Sequence, residues 1–194
     1  MKGITLHFLQ NKFAPNPRVL SIFTLIICLF ITTIQPAIAG IDDDRYDGNI
    51  FVVYAGNGSL VPPAQTLEQT LAEHKPAILT FYVENSSDCK QYAIVVSQLQ
   101  AFYGRAAEII PINVDAIPPQ KSYKPTEPGY YYSGGVPQVV VFDQSGKVVL
   151  NKKGQVPYED IDDRLREVFD LLPRTESVRL KRRSFNELSS ELAP

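Results

Sequence analysis

Cys89 stands three residues after Ser86 in the run Ser86-Ser87-Asp88-Cys89-Lys90, directly behind an apolar stretch that ends at Val83. A strand emptying into a helix start is a setting that lowers the pKa of a thiol and makes it an attacking group for a disulfide. Rapid exchange also needs a second thiol to resolve the mixed disulfide that the first one forms. Ser86, three positions before Cys89, is not a thiol, so the pair that exchange needs is incomplete. A serine hydroxyl at its ordinary pKa becomes a nucleophile only beside a base. The two histidines, His7 and His74, both lie away from this corner along the chain. Ser86 therefore reads as the cap of the following helix, a role for which serine is among the favoured residues. Cys89 falls one turn into that helix, where Asp88 and burial raise a thiol pKa against the lowering by the helix start. It reads as a small buried hydrophobe. The alternative is a slow monothiol that exchanges with a partner. No metal-ligand spacing and no phosphate-cradling glycine loop occurs, so neither a metal nor any other cofactor is expected.

The elements that must position these residues follow an address segment. Lys2, Lys12 and Arg18 accompany an apolar run from Val19 to Ile34, and Ala37-Ile38-Ala39 gives a small-x-small cleavage pattern. Residues 1–39 read as a signal peptide cleaved after Ala39. A retained anchor is the alternative, since the run is long for a signal core and short for a span. No acidic residue precedes Asp42, so losing the leader makes the remainder three charges more negative than the whole chain's −2. That mildly acidic balance does not suggest a nucleic-acid binder. Cleavage also removes Cys28 and leaves Cys89 as the one sulfur able to form a disulfide. Residues 40–48, with Asp42-Asp43-Asp44, read as a solubilising acidic linker. Roughly 155 residues then remain, enough for one core.

Asn49 to Tyr54 is β-branched and aromatic and predicts a first strand. Thr66 caps a short helix through Glu73. Pro76 to Val83 is continuously apolar, as a strand covered on both faces is. Asp88 to Tyr103 has helical spacing, with Tyr92, Val95, Val96, Leu99 and Phe102 on one stripe and Gly104 as its stop. Three more strands are predicted at Glu108–Val114, Val136–Phe142 and Lys147–Asn151, the last two joined by a turn at Gln144-Ser145-Gly146. Pro157 opens a final helix to Leu172, whose apolar face is Ile161, Leu165, Val168 and Phe169. Helices on both faces of a mixed sheet make a three-layer α/β/α sandwich.

At Phe81 to Lys90 and at Gly135-Val136-Pro137 the chain resembles the thioredoxin superfamily, over residues 49–172. Asn113-Val114-Asp115 and Gly154 also sit where that family's motifs sit. The likeness extends to the cyanobacterial thioredoxin-like proteins called thylakoid membrane photosystem I accumulation factors. It is carried by Asp43 to Tyr54, Ser86 to Tyr92, Gly129-Tyr130-Tyr131-Tyr132 and Lys181 to Glu187. In such proteins Ser86 falls at the attacking cysteine and Cys89 at the resolving one. Thr80 falls at a buried acid and Pro111 at the lysine paired with it. With nucleophile, acid and lysine all replaced, the resemblance implies retired dithiol chemistry.

Pro137, by contrast, is kept. The resemblance implies a cis bond before it, with Val136 offering its N–H and C=O to an extended peptide by strand addition. Ser86, Ser87, Asp88, Val136 and Pro137 are thus candidate client-binding residues. Tyr130, Tyr131 and Tyr132 join them from a long connection, Ala116 to Gly134, stiffened by Pro118, Pro119, Pro125 and Pro128. Tyrosines suit an interface, or they cover the sheet. The expected function is an exported protein without the redox dithiol that supports photosystem I build-up by binding clients. Photosystem I subunits or their assembly factors would be the partners, with the thylakoid membrane surface as a further contact and no nucleic acid. The expected location is the thylakoid lumen or the lumenal side of the thylakoid membrane, with the periplasm as the alternative. The alternative function is a monothiol oxidoreductase acting through Cys89. Residues 173–194 form a tail in which Lys181-Arg182-Arg183 precedes a capping-box pattern, Ser184 to Glu187, with Phe185, Leu188 and Leu192 on one face. Three charges are few for membrane attachment, so a solvated tail is expected, with partner docking as the alternative.

Overall fold

A computed structural model describes residues 16–33 and 40–177, and the chain divides into two units between Ala39 and Gly40. In the first unit a single described helix, α1 (Pro17–Thr33), leaves apolar side chains such as Val19, Phe23, Leu25 and Leu29 exposed. No helix among the described residues is long and apolar enough to cross a membrane. The Ala37-Ile38-Ala39 cleavage pattern and the basic cluster Lys181-Arg182-Arg183 lie outside the described residues.

The second unit is organised around β1 (Ala77–Tyr82), whose six residues are all buried. Burial on both faces requires a central strand, and β1 has neighbours on each side. It pairs in parallel with β2 (Glu108–Asn113) and antiparallel with β3 (Gln138–Phe142). Beyond β3 lies β4 (Val148–Lys153), antiparallel to it, which gives the order β2-β1-β3-β4. Successive β1 side chains alternate between two cores. Ile78 and Tyr82 enter one core with Cys89, Tyr92, Val96 and Leu99 of α4 (Ser87–Tyr103) and with Ile161 and Leu165 of α5 (Tyr158–Val168). Ala77, Leu79 and Phe81 enter the other, with Leu67 of α3 (Leu67–Ala72). The α3 helix starts at a capping box in which Thr66 Oγ1 accepts from the Gln69 N–H and Gln69 Oε1 accepts from the Thr66 N–H.

The second face is covered in an unusual way. Besides α3, it is the tyrosine connection that lies over it: Tyr131 meets the Phe142 ring edge-on at 4.8 Å, and Tyr132 lies 5.5 Å from Phe81. A loop thus does part of the work of a helix layer.

The predicted strand Asn49–Tyr54 is instead a short helix, α2 (Ile50–Val53). The β-branched run has strand propensity, but tertiary packing and the cap override it. Asn49 Oδ1 accepts from the N–H groups of Phe51 and Val52, which closes the turn, and Ile50 and Phe51 are fully buried in the α4-side core. The sheet therefore has four strands among the described residues, with β1 rather than a preceding strand at its heart. Two smaller differences follow from packing. Phe102, expected on the buried stripe of α4, is 65% exposed and lies beside the Tyr158 ring at 5.9 Å. The last helix stops at Val168, four residues before Leu172.

Candidate functional site

The C-terminal end of β1, the start of α4 and the bend before β3 meet at one corner. Ser86 caps α4: its extended backbone turns the chain, and Oγ accepts from the Cys89 N–H at 3.4 Å. The hydroxyl is engaged with a backbone donor, and no histidine is among its partners. Cys89 is 1% exposed and belongs to the α4-side core. Burial pushes its thiol pKa up, against the opposing pull of the Val83 N–H and the Ser86 hydroxyl, and the charges of Asp88 and Asp44 raise it further. A thiol held protonated and out of reach of solvent is a poor nucleophile. Thr80 and Pro111 are register partners across β1 and β2, and the buried Thr80 hydroxyl has no hydrogen-bond partner. No charged pair occupies that spot.

The bond between Val136 and Pro137 is cis. The Pro137 carbonyl accepts from the Gly154 N–H at 2.8 Å, and the next residue, Gln155, donates through Nε2 to Asp88 Oδ1 at 2.8 Å and to Gln91 Oε1 at 3.0 Å. Asp88 and Pro137 are thereby stitched into the same corner. Among the described residues, neither the N–H nor the C=O of Val136 has a hydrogen-bond partner.

The three tyrosines separate into two roles. Tyr131 and Tyr132 pack against the second core, and Tyr131 donates its hydroxyl to the Pro125 carbonyl at 2.8 Å. Tyr130 remains 55% exposed, with its ring edge-on to Tyr131 at 5.0 Å. What fixes this loop is Gln138, which is fully buried. Its Oε1 accepts from the Ser133 N–H and hydroxyl at 3.0 Å each, and its Nε2 donates to the Tyr131 carbonyl at 2.8 Å and to Asn151 Oδ1 at 2.9 Å.

The segment read as an acidic linker is bound to the corner instead of standing in solvent. Lys90, a lysine with no exposed side-chain surface, donates to Asp47 Oδ2 at 2.6 Å and Asp43 Oδ1 at 3.1 Å. It also donates to the carbonyls of Gly40 and Asp43 at 2.9 Å each. Burial alone would lower its pKa, but the hydrogen bonds to Asp47, Asp43 and Tyr54 outweigh that and hold it above the usual lysine range. Asp44 accepts from the Ser87 N–H and hydroxyl at 2.8 Å each, and Asp42 accepts from Gln91 at 3.1 Å. Ser87 N–H and hydroxyl, counted among the client-binding candidates, are therefore already engaged by the chain's own carboxylate. Lys90, Asp43, Asp44, Asp47 and Gln138 were missed by sequence reasoning. The available signal was a lysine on the apolar side of α4 opposite an acidic run.

Among the described residues no group of three or more histidine, cysteine, aspartate or glutamate side chains is arranged to hold a metal ion. The corner offers one free backbone N–H and one free C=O at Val136, an apolar surround and a sealed thiol.

The sheet order, the α4 start and the proline-led β3 define a thioredoxin-type fold, and the family profile agrees. The family profile for the thioredoxin-like domain matches residues 63–169, and the chain belongs to that family. It is 59% identical over 156 residues to the thylakoid membrane protein slr1796 of the cyanobacterium Synechocystis sp., a match that spans 80% of this chain and 78% of the relative. Among solved structures, the germline-specific thioredoxin Deadhead of Drosophila melanogaster aligns at 20% identity over 50% of this chain and 83% of that one, with a TM-score of 0.40.

Proposed function

We propose that this protein is a thioredoxin-like binding module without dithiol chemistry, which holds an extended client segment at the Val136–Pro137 corner and so supports the accumulation of photosystem I. The observation that carries the reading is the pair of unpartnered backbone groups on Val136, set beside a cysteine that is buried and kept protonated. An unpaired N–H and C=O at a strand start are the groups a peptide uses to add a strand. Tyr130, on the connection that leads to Val136, adds an exposed ring, and aromatic rings with a wet hydroxyl are favoured at interfaces. The clients proposed are photosystem I subunits or their assembly factors, and the proposed place is the lumenal side of the thylakoid membrane. Support for that place comes from the relative, a thylakoid membrane protein at 59% identity, and support for the client from the resemblance of Asp43 to Tyr54 and Ser86 to Tyr92 to photosystem I accumulation factors.

A photocrosslinking residue at Val136, with one at Tyr130 as companion, tests the reading in cyanobacterial cells. Adducts with photosystem I subunits or assembly factors are expected at both positions, and a position on the far end of α4, such as Phe102, should give none. Equal labelling at all three positions, or no thylakoid adduct at Val136, would count against docking there.

A further inference from the structure

The segment Gly40–Asp47 grips the start of α4 through two sets of bonds that differ in exposure. The inner set surrounds Lys90, whose ammonium, with three donors, faces four acceptors within 3.1 Å. Tyr54 completes it, donating its hydroxyl to Asp47 at 2.5 Å with the Gly40 carbonyl 3.1 Å from the same oxygen, and its ring lies 5.2 Å from the ammonium. Gly40 has no room for a side chain, because a Cβ there would collide with the Asp43 carboxylate. Nothing from solvent reaches Lys90, so breaking this set would strand a charge without a partner.

The outer set is open to water. Asp44 reaches the Ser87 N–H and hydroxyl, and Asp42 reaches Gln91, both on the exposed side of the helix start. Water competes for such bonds and makes them cheap to open. The chain order matters here. Asp44, Arg45 and Tyr46 form an arc between Asp43 and Asp47, the two residues whose carboxylates are fastened to Lys90. Within the arc Arg45 is tied back to Asp43, through its N–H at 3.1 Å and its guanidinium at 2.7 and 3.0 Å, so what can open with both ends fixed is the Asp44 contact to Ser87.

We propose that Gly40–Asp47 is a strap in which Lys90 is the permanent pin and the Asp44–Ser87 contact is a latch that opens independently, gating the first turn of α4. That the gate controls client entry rests on the docking reading of the corner. The mechanics of pin and latch do not.

Residue-resolved exchange with water on the full chain separates the two sets. The Ser87 amide reports the latch, and the Lys90 side-chain ammonium reports the pin. Asp44→Ala is expected to speed exchange of the Ser87 amide on the order of tenfold while the Lys90 ammonium stays protected. Asp47→Asn is expected to expose the ammonium as well. An Asp44→Ala variant in which Ser87 is unchanged, or in which Ser87 and Lys90 lose protection together, would overturn the proposal. If the latch behaves as described but Val136 captures no client, the docking reading falls and the strap stands.

Discussion

Lys90 Nζ and the Asp47 carboxylate meet at 2.6 Å across 43 positions of sequence, and through this bond the segment before the domain becomes part of its site. The pair has a consequence in acid. Hydrogen bonds from Lys90 and then from Tyr54 hold Asp47 below its usual 3.8, and Arg45 first and Lys90 second do the same for Asp43. A carboxylate with a lowered folded-state pKa contributes stability above its unfolded value and loses it as pH falls through the folded one. The strap should therefore hold undiminished from about pH 7 to about pH 5 and weaken only below about pH 4. Lys90→Met should lower the denaturation midpoint at neutral pH and flatten its decline in acid. Midpoints measured against pH for both proteins check this, and parallel acid slopes would contradict it.

Ser86 predicts a modest structural effect and nothing chemical. As a cap with a long hydrogen bond, its replacement by alanine should cost about 0.5–1 kcal/mol. Equilibrium unfolding in urea measures that loss. A larger effect on function than on stability would mean the hydroxyl has a role beyond the cap.

Gln138 should be far more costly to remove. Gln138→Leu keeps the volume but strands the Tyr131 carbonyl, the Ser133 N–H and the Asn151 side chain. A stranded buried group costs about 1–3 kcal/mol; Tyr131 is half-buried, whereas Ser133 and Asn151 are exposed and can turn to water. A loss of about 1–3 kcal/mol is expected, together with faster amide exchange across Tyr130 to Ser133. An unchanged loop would show that the tyrosines hold themselves.

Cys89 should react slowly. In a Cys28→Ser background, which removes the exposed thiol of α1, a thiol reagent near neutral pH should label the native protein at least ~100-fold more slowly than the urea-unfolded chain, because reaction must wait for opening. Rapid native labelling would contradict a sealed, protonated sulfur.

The fold was legible because its signals are local. The six-residue buried run of β1, the Ser86 cap and the stripe Tyr92, Val96 and Leu99 each announce themselves within one element. Thr66 and Gln69 even spell out their capping box. The failures all depend on distant partners. Ile50 and Phe51 look like strand residues until the core against α4 claims them, with Asn49 closing the turn. Asp43 and Asp47 look like solvated charges until Lys90 is known to point inward. Tyr131 and Tyr132 look free for a partner until Gln138 pulls their loop onto Phe81 and Phe142. The site was thus half visible. Its missing second thiol is written in residue types, whereas its occupancy by the strap depends on contacts between segments more than 40 residues apart.

The most direct measurement is photosystem I content in cyanobacterial cells carrying Cys89→Ala in place of the native chain, set beside wild-type and deletion strains and a Val136→Pro strain. Val136→Pro removes the free N–H at the corner and leaves the sulfur untouched. If recognition is what this protein does, Cys89→Ala cells should keep wild-type photosystem I while Val136→Pro cells fall toward the deletion level at normal protein abundance. A Cys89→Ala strain that matches the deletion while its protein accumulates normally would show that the sulfur, and not the Val136–Pro137 corner, carries the function.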